Sequence, residues 1–142
     1  MIDTSSLRNA IAQLDEAMDY CRSDLAERDP KLARHLRAAA IQAFEFTYEL
    51  AIKLLRRSLA ETEANPADVR DATFNELIRL GYARGLLVSE IIVWKEFRRH
   101  RGSTSHAYDE AMAEEVFAGI PAFLTEAKTL LANLATREER NS

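Results

Sequence analysis

The chain has 142 residues, 47% of them apolar and 30% charged, and carries a formal charge of −4. This balance is typical of a globular protein, excludes a disordered or membrane-spanning chain, and predicts one domain over residues 1–142. Its longest apolar runs fall far short of the ~20 residues of a spanning helix, and the N-terminus lacks a signal-peptide core, so we expect a cytoplasmic protein. The net acidity argues against nonspecific coating of nucleic acid but allows a local basic site.

Two helices are predicted in the first half of the chain. Apolar residues recur at alternating spacings of four and three, which predicts a first helix over about residues 3–26 with Cys21 and Leu25 on its apolar face. Asp29 and Pro30 form the N-cap and first-turn proline of a second helix. This helix carries two adjacent apolar stripes. A face that wide indicates a helix at the centre of a bundle, or one that also faces another subunit.

The middle of the chain predicts a short helix followed by a longer one. Asn65 and Pro66 repeat the cap-and-proline signal and begin a short helix that stops at Gly81. A turn around Gly85 follows, and Ser89 is placed to cap the next helix. Trp94 and Phe97 of that helix are interpreted as core or dimer contacts rather than a base-stacking platform.

A last helix is predicted from about Asp109. Its apolar register continues across Pro121, which indicates one kinked helix rather than two. The polar segment 136–142 is expected to fray. Because no stretch alternates with the period of a strand, we predict an all-α fold, an up-and-down bundle of four main helices plus a short one.

Residues 98–108, RRHRGSTSHAY, lie at a helix-to-helix junction near one end of this bundle. Residues 95–101 contain four cationic side chains, those of one lysine and three arginines, and Glu96 is the one carboxylate among them. This excess of positive charge predicts a local positive patch. Arginine offers a fork of donors to phosphate oxygens, and histidine exchanges protons near neutral pH. Arg101 and His106 can therefore converge on one phosphate and cleave RNA without a metal. The alternative is a helix end whose cations complement the macrodipole and whose hydroxyls are only caps and turn residues.

Three segments, in this order, resemble the HEPN superfamily and its HepT branch, the nucleotidyltransferase substrate-binding proteins. They are FEFTYELAIKLL at 44–55, Trp94, and RGSTSHAYDE at 101–110. The branch has a motif of arginine, four to six residues, and then His-any-Tyr. Here Arg101 is followed by four residues and then by His106, Ala107 and Tyr108. The resemblance covers roughly residues 5–135.

This resemblance implies an all-helical homodimer that acts with a minimal nucleotidyltransferase. Members of known activity are toxins that cleave RNA without a metal, and the partner is an antitoxin that adenylylates the motif tyrosine, here Tyr108. No cofactor or metal is expected. Phosphate added at this tyrosine would fill the pocket and neutralise its cations. Older usage of the family name implies the alternative, a noncatalytic substrate-binding subunit of a nucleotidyltransferase.

Each site residue receives a predicted role. The resemblance assigns Arg101 to phosphate binding, His106 to acid and base catalysis, and Tyr108 to the pocket and to modification. Four further residues are predicted to support phosphate or RNA binding: Arg98, His100, Ser103 and Ser105. The family usually has Asn directly after the motif arginine, and this chain has Gly102 there, which removes two donors and one acceptor.

The central helix carries further charged residues. Glu45 and Glu49, one turn apart, are interpreted as polar residues of the surface or of an interface rather than as metal ligands, and Glu49 as an i,i+4 partner of Lys53. Lys53, Arg56 and Arg57 form a second basic cluster, either a solvated face or an RNA track. His35 of the same helix is predicted at the surface.

Overall fold

The computed structural model describes residues 2–141, with side chains described through residue 140. This part of the chain is helical and contains no strand. The helices are α1 (Ser5–Cys21), α2 (Asp24–Arg28), α3 (Pro30–Thr62), α4 (Pro66–Arg70), α5 (Phe74–Ala83), α6 (Ile91–Ser103) and α7 (Glu110–Asn141), with a 3₁₀ turn at Thr104–His106. The predicted all-α bundle is confirmed: α1, α3, α6 and α7 are its main helices and α5 the short one, while α2 and α4 are additional single turns.

Helix α3 is the centre of the bundle. It packs against α1, α7 and every other described helix, which accounts for its wide apolar face. An aromatic cluster fills the core between α3, α6 and α7: the Phe123 ring lies edge-on to Phe44 at 5.0 Å, to Phe97 at 5.4 Å and to Trp94 at 6.4 Å between centroids. Trp94 and Phe97 are fully buried here, as the core interpretation predicted.

The predicted first helix is two helices. The chain leaves the helical path after Cys21, where the Ser23 hydroxyl donates to the Tyr20 carbonyl at 2.6 Å and accepts from the Ala26 amide at 3.4 Å, starting α2. The single helix over 3–26 is therefore wrong. Leu25, expected on the buried stripe, is 60% exposed because the break rotates it away, whereas Cys21 is half-buried against the core. The apolar spacing continues across Ser23, but the serine cap ends one helix and starts the next.

The predicted short helix from Pro66 to Gly81 is also two helices. Thr73 restarts the chain as α5 with a capping box: its hydroxyl accepts from the Glu76 amide at 3.2 Å, and the Glu76 carboxylate accepts from the Thr73 amide at 3.3 Å. Gly81 lies inside α5 rather than at its end. The turn predicted at Gly85 is confirmed, and its φ of 76° is the left-handed conformation that glycine adopts readily.

Glu126 of α7 holds the segment that leads into α6. Its carboxylate is buried and accepts from the Ser89 amide at 2.9 Å, the Ser89 hydroxyl at 2.8 Å, the Val88 amide at 3.3 Å and the Trp94 indole N–H at 3.3 Å. Because the Ser89 hydroxyl is used here, it does not cap α6; Glu90 occupies the N-cap position, without a side-chain cap bond. The capping role predicted for Ser89 is wrong.

Helix α7 begins and continues largely as predicted. The Asp109 carboxylate accepts from the Ala111 amide at 2.9 Å and the Met112 amide at 3.2 Å, which caps the first turn. The helix passes through Pro121 without ending and is helical as far as Asn141, through most of the segment expected to fray; residue 142 lies outside the described residues. Within the described chain, no helix combines the length and apolarity that crossing a membrane requires.

Candidate functional site

The Arg-x4-His motif spans the end of α6 and the 3₁₀ turn that leads to α7. Arg101 lies in the last turn of α6, and His106 ends the 3₁₀ turn. This turn contacts α3, α6 and α7, so three helices position the motif. The helix-to-helix junction predicted at one end of the bundle is confirmed.

Two carboxylates of α3 hold the Arg101 side chain. Its Nε donates to Glu49 Oε1 at 2.6 Å, and its Nη2 lies 3.4 Å from Glu45 Oε1. Glu45 and Glu49 face α6 together because they are one helical turn apart. This pairing was not predicted: the partners are about fifty positions apart in sequence, and only their i,i+4 spacing signalled a shared face. The motif arginine is thus oriented by α3 before any substrate binds.

Thr104 joins the 3₁₀ turn to the same carboxylates. Its hydroxyl lies 2.9 Å from Glu45 Oε2 and 2.8 Å from the Arg101 carbonyl oxygen, so its one proton is donated to either acceptor. The Ser103 hydroxyl donates to the Arg99 carbonyl at 3.1 Å and closes the last turn of α6. The Ser103 and Thr104 hydroxyls therefore bond within the protein at this turn, and Glu45 fixes the turn relative to Arg101.

His106 and Tyr108 lie on the solvent side of this turn. Tyr108 is 86% exposed and His106 is also exposed. Their rings lie 6.1 Å apart between centroids at an interplanar angle of 68°. An exposed imidazole next to an exposed phenol, on a turn anchored to α3, is accessible to a polymer substrate and to a modifying enzyme alike. Ser105, on the same turn, is exposed as well.

The positive patch is compensated far more than the sequence indicated. Arg99 pairs with Glu96 of its own helix and with Glu115 of α7, both at 2.7 Å, which raises the pKa of Arg99 and lowers those of both carboxyls. The Arg98 guanidinium stacks 4.7 Å above the Phe74 ring of α5. Within the basic segment the sequence shows only Glu96 as an opposing charge. The other carboxylates, Glu45 and Glu49 of α3 and Glu115 of α7, are distant in sequence and reach the arginines only in the fold.

His100 is directed into the protein. It is 9% exposed, and its ring lies against Gly119 of α7 so closely that a Cβ atom at position 119 would overlap it. Its Nε2 lies 3.3 Å from Arg99 Nη2. We therefore assign His100 to packing and leave it out of the phosphate site predicted from the sequence. The role of Gly119, which makes room for this ring, had no signal in the sequence.

Gly102 lies in open space on the last turn of α6. A Cβ atom at this position would meet no heavy atom within 4 Å. An asparagine, which the family resemblance led us to expect here, is therefore sterically compatible with this fold. Among the described residues, no group of three or more His, Cys, Asp or Glu side chains is arranged to hold a metal ion.

We expect the buried His100 to make folding sensitive to pH. Burial, with Arg99 adding to it, lowers the pKa of His100 below its usual 6.5. The unfolded chain then binds a proton at a higher pH than the folded chain, so this contribution to stability is complete above about pH 6.5 and is lost as the pH falls through the folded pKa.

Thermal unfolding between about pH 7.5 and 5.5 measures this effect. The midpoint temperature should fall with pH in the parent chain and fall less in His100→Gln. The exposed histidine of α3 provides the matched control, His35→Gln. Equal pH slopes in the parent and His100→Gln would contradict the assignment.

The family of this chain is established by three comparisons. The family model described as nucleotidyltransferase substrate binding protein like matches residues 2–136. A Haemophilus influenzae protein named "Probable ribonuclease HepT" is 38% identical over 102 residues, which cover 72% of this chain and 69% of that protein. A solved H. influenzae structure, described as revealing the fold of a substrate binding domain of a nucleotidyltransferase, is similar with a TM-score of 0.88 and 30% identity, covering 94% of this chain and 99% of that one. The resemblance is confirmed: the chain belongs to the HepT-like, nucleotidyltransferase substrate-binding family.

Proposed function

We propose that this protein is a metal-independent endoribonuclease, the toxin of a toxin–antitoxin pair controlled by a cognate nucleotidyltransferase. The observation that carries the proposal is that His106 and Tyr108 are exposed just after the end of α6, where Arg101 is oriented by Glu45 and Glu49. The 38%-identical relative named as a ribonuclease supports the activity. The family description and the solved relative support the nucleotidyltransferase partner.

Arg101 binds the scissile phosphate in this proposal. Glu49 accepts from Nε, which leaves the Nη edge of the guanidinium to donate to phosphate oxygens. The phosphate competes with Glu45 for Nη2, since that pair is longer at 3.4 Å. The charge that grows on the phosphate oxygens in the transition state is then stabilised by a cation that Glu49 already holds in place.

His106 transfers protons in the cleavage step. The ribose 2′-oxygen attacks phosphorus as its proton is removed, and the bond from phosphorus to the 5′-oxygen breaks as that oxygen gains a proton. The products are a 2′,3′-cyclic phosphate and a 5′-hydroxyl. In the homodimer that the family implies, two His106 side chains serve as base and acid. Each chain supplies one of them.

Tyr108 is the proposed control point. Its exposed phenol is accessible to a nucleotidyltransferase, which would attach adenylate through the phenolic oxygen with release of pyrophosphate. The added phosphate places negative charge beside His106 and within the same motif as Arg101, so it would occupy the substrate phosphate position. Modification then switches cleavage off.

The second candidate is a noncatalytic substrate-binding subunit of a nucleotidyltransferase. Gly102 favours it, because the amide that the family usually supplies next to the motif arginine is missing. The solved relative also favours it, because that structure is described as the fold of a substrate binding domain of a nucleotidyltransferase. The two candidates share the partner and differ in RNA cleavage.

Incubation of the purified chain with labelled RNA in EDTA tests the proposal, after intact mass has shown Tyr108 to be unmodified. We expect fragments that end in a 2′,3′-cyclic phosphate, and a loss of about 100-fold in rate for Arg101→Ala. Circular dichroism of each variant controls for folding.

A Gly102→Asn variant separates the two candidates further. If the parent chain leaves RNA intact while Gly102→Asn cleaves it, the substrate-binding candidate holds for this chain and the fold retains the nuclease geometry. If neither protein cleaves beyond the rate of Arg101→Ala, the nuclease proposal is refuted.

A further inference from the structure

A groove of about 610 Å³ follows one face of α3 beyond the motif. We propose that this groove binds the sugar–phosphate backbone of single-stranded RNA next to the cleaved phosphate, an inference that rests on the proposed function. Its cations come from α3 and α4: Lys53, Arg56, Arg57 and Arg70. Glu49 and Glu61 are the carboxylates among its lining residues. Four cations against two carboxylates make the groove locally positive in a chain of charge −4.

The cations of the groove have different tasks. Arg56 donates to the carbonyl oxygens of Val69 at 2.9 Å and Ala72 at 2.8 Å, which anchors the α4 segment to α3. Lys53, Arg57 and Arg70 are exposed at the surface of the groove. Arg56 therefore stabilises the side of the groove, and the exposed Lys53, Arg57 and Arg70 are available to contact a ligand.

Glu49 connects the groove to the motif. Glu49 lines the groove and also accepts from Arg101 Nε at 2.6 Å. Lys53 and Arg57 follow Glu49 at successive intervals of four residues, on the same face of α3. From Glu49 to Arg57 the helix rises about 12 Å. A single strand whose phosphate lies at Arg101 can therefore extend along this face and bring neighbouring phosphates to these cations.

The chemistry of the groove selects for a backbone rather than for bases. Its lining side chains are cationic, carboxylate and aliphatic, with Ile52 and Ala60 as the apolar members. Such side chains contact phosphates and sugars, which carry no sequence information. We therefore expect affinity for RNA of any sequence, with the salt dependence of phosphate contacts.

Binding can be measured without cleavage in a His106→Ala background. The probe is a fluorescein-labelled single-stranded RNA of about 12 nucleotides, followed by anisotropy between about 50 and 200 mM KCl. Adding Lys53→Ala, Arg57→Ala and Arg70→Ala should raise Kd by about tenfold or more at the lowest salt. It should also reduce the slope of log K against log salt by about 2, at about 0.7 per lost phosphate contact.

A control triple variant, Arg8→Ala, Arg28→Ala and Lys31→Ala, removes the same charges from exposed positions outside the groove. Its Kd should stay within about twofold of the His106→Ala background if the groove binds RNA. Equal losses of affinity in the two triple variants would instead show a general charge effect and overturn the proposal. So would unchanged binding in the groove variant.

Cleavage kinetics separate this inference from the proposed function. With His106 intact, the groove variant should cleave a dinucleotide at the parent rate and show a raised KM for the longer RNA only. If the parent chain binds RNA through the groove but cleaves none, the nuclease proposal fails and the groove stands. If the parent cleaves RNA and the groove variant keeps the parent KM for the longer substrate, the groove inference fails and the nuclease stands.

Discussion

Replacing His106 with alanine is expected to lower the rate of RNA cleavage by about 100-fold or more, because a positioned proton-transfer group contributes roughly 10²–10⁴ to such a step. The fold should be unaffected. His106 is exposed at the end of the 3₁₀ turn, and its ring meets Tyr108 at 6.1 Å rather than the core. Single-turnover cleavage of labelled RNA in EDTA, with thermal unfolding alongside, measures both quantities.

The matched control is His35→Ala, which removes an exposed histidine from α3 and should leave the cleavage rate unchanged. Expression in growing cells gives an independent measurement: growth arrest caused by the parent chain should be relieved by His106→Ala and not by His35→Ala. Cleavage by His106→Ala at the parent rate would remove this residue from the mechanism, and a different proton-transfer group would be required.

Replacing Glu126 with alanine is expected to lower the free energy of unfolding by about 3 kcal/mol or more. The carboxylate accepts from the amide and the hydroxyl of Ser89, from the Val88 amide and from the Trp94 indole N–H. Removing it leaves the buried Trp94 indole N–H and three part-buried donors of Val88 and Ser89 without an acceptor, at about 1–3 kcal/mol for each donor that water does not reach. Glu126→Gln should cost less, since one carbonyl oxygen remains to accept.

Urea unfolding followed by circular dichroism measures these differences. Glu114→Ala removes an exposed carboxylate from the same helix and should change stability by less than about 0.5 kcal/mol. Trp94 fluorescence reports on the same region, because its indole N–H loses its partner when the carboxylate is removed. Stability of Glu126→Ala within error of Glu114→Ala would mean that water replaces the lost acceptor.

The breaks between helices are where the structure departs from the apolar spacing of the sequence. Asp29, predicted as an N-cap, and Asp109, predicted as the approximate start of the last helix, both accept from amides within three residues of themselves, so local sequence is enough to place them. Ser23 and Thr73 are caps of the same kind, but each interrupts an apolar spacing that continues across it, so the spacing alone predicts one helix where the chain forms two. Ser89 failed as a cap for another reason: Glu126, distant in sequence, accepts its proton.

The sequence by itself determined the helical class, the central place of α3 and the composition of the motif, since each depends on spacing along one helix or one turn. Only the tertiary structure decided the electrostatics of the site. Glu45 and Glu49 reach Arg101, Glu115 reaches Arg99, and Gly119 admits the ring of His100. These contacts join residues from different helices, and charge compensation acts through space over a few ångströms. A linear pattern therefore records the cations of such a site without recording which carboxylates oppose them.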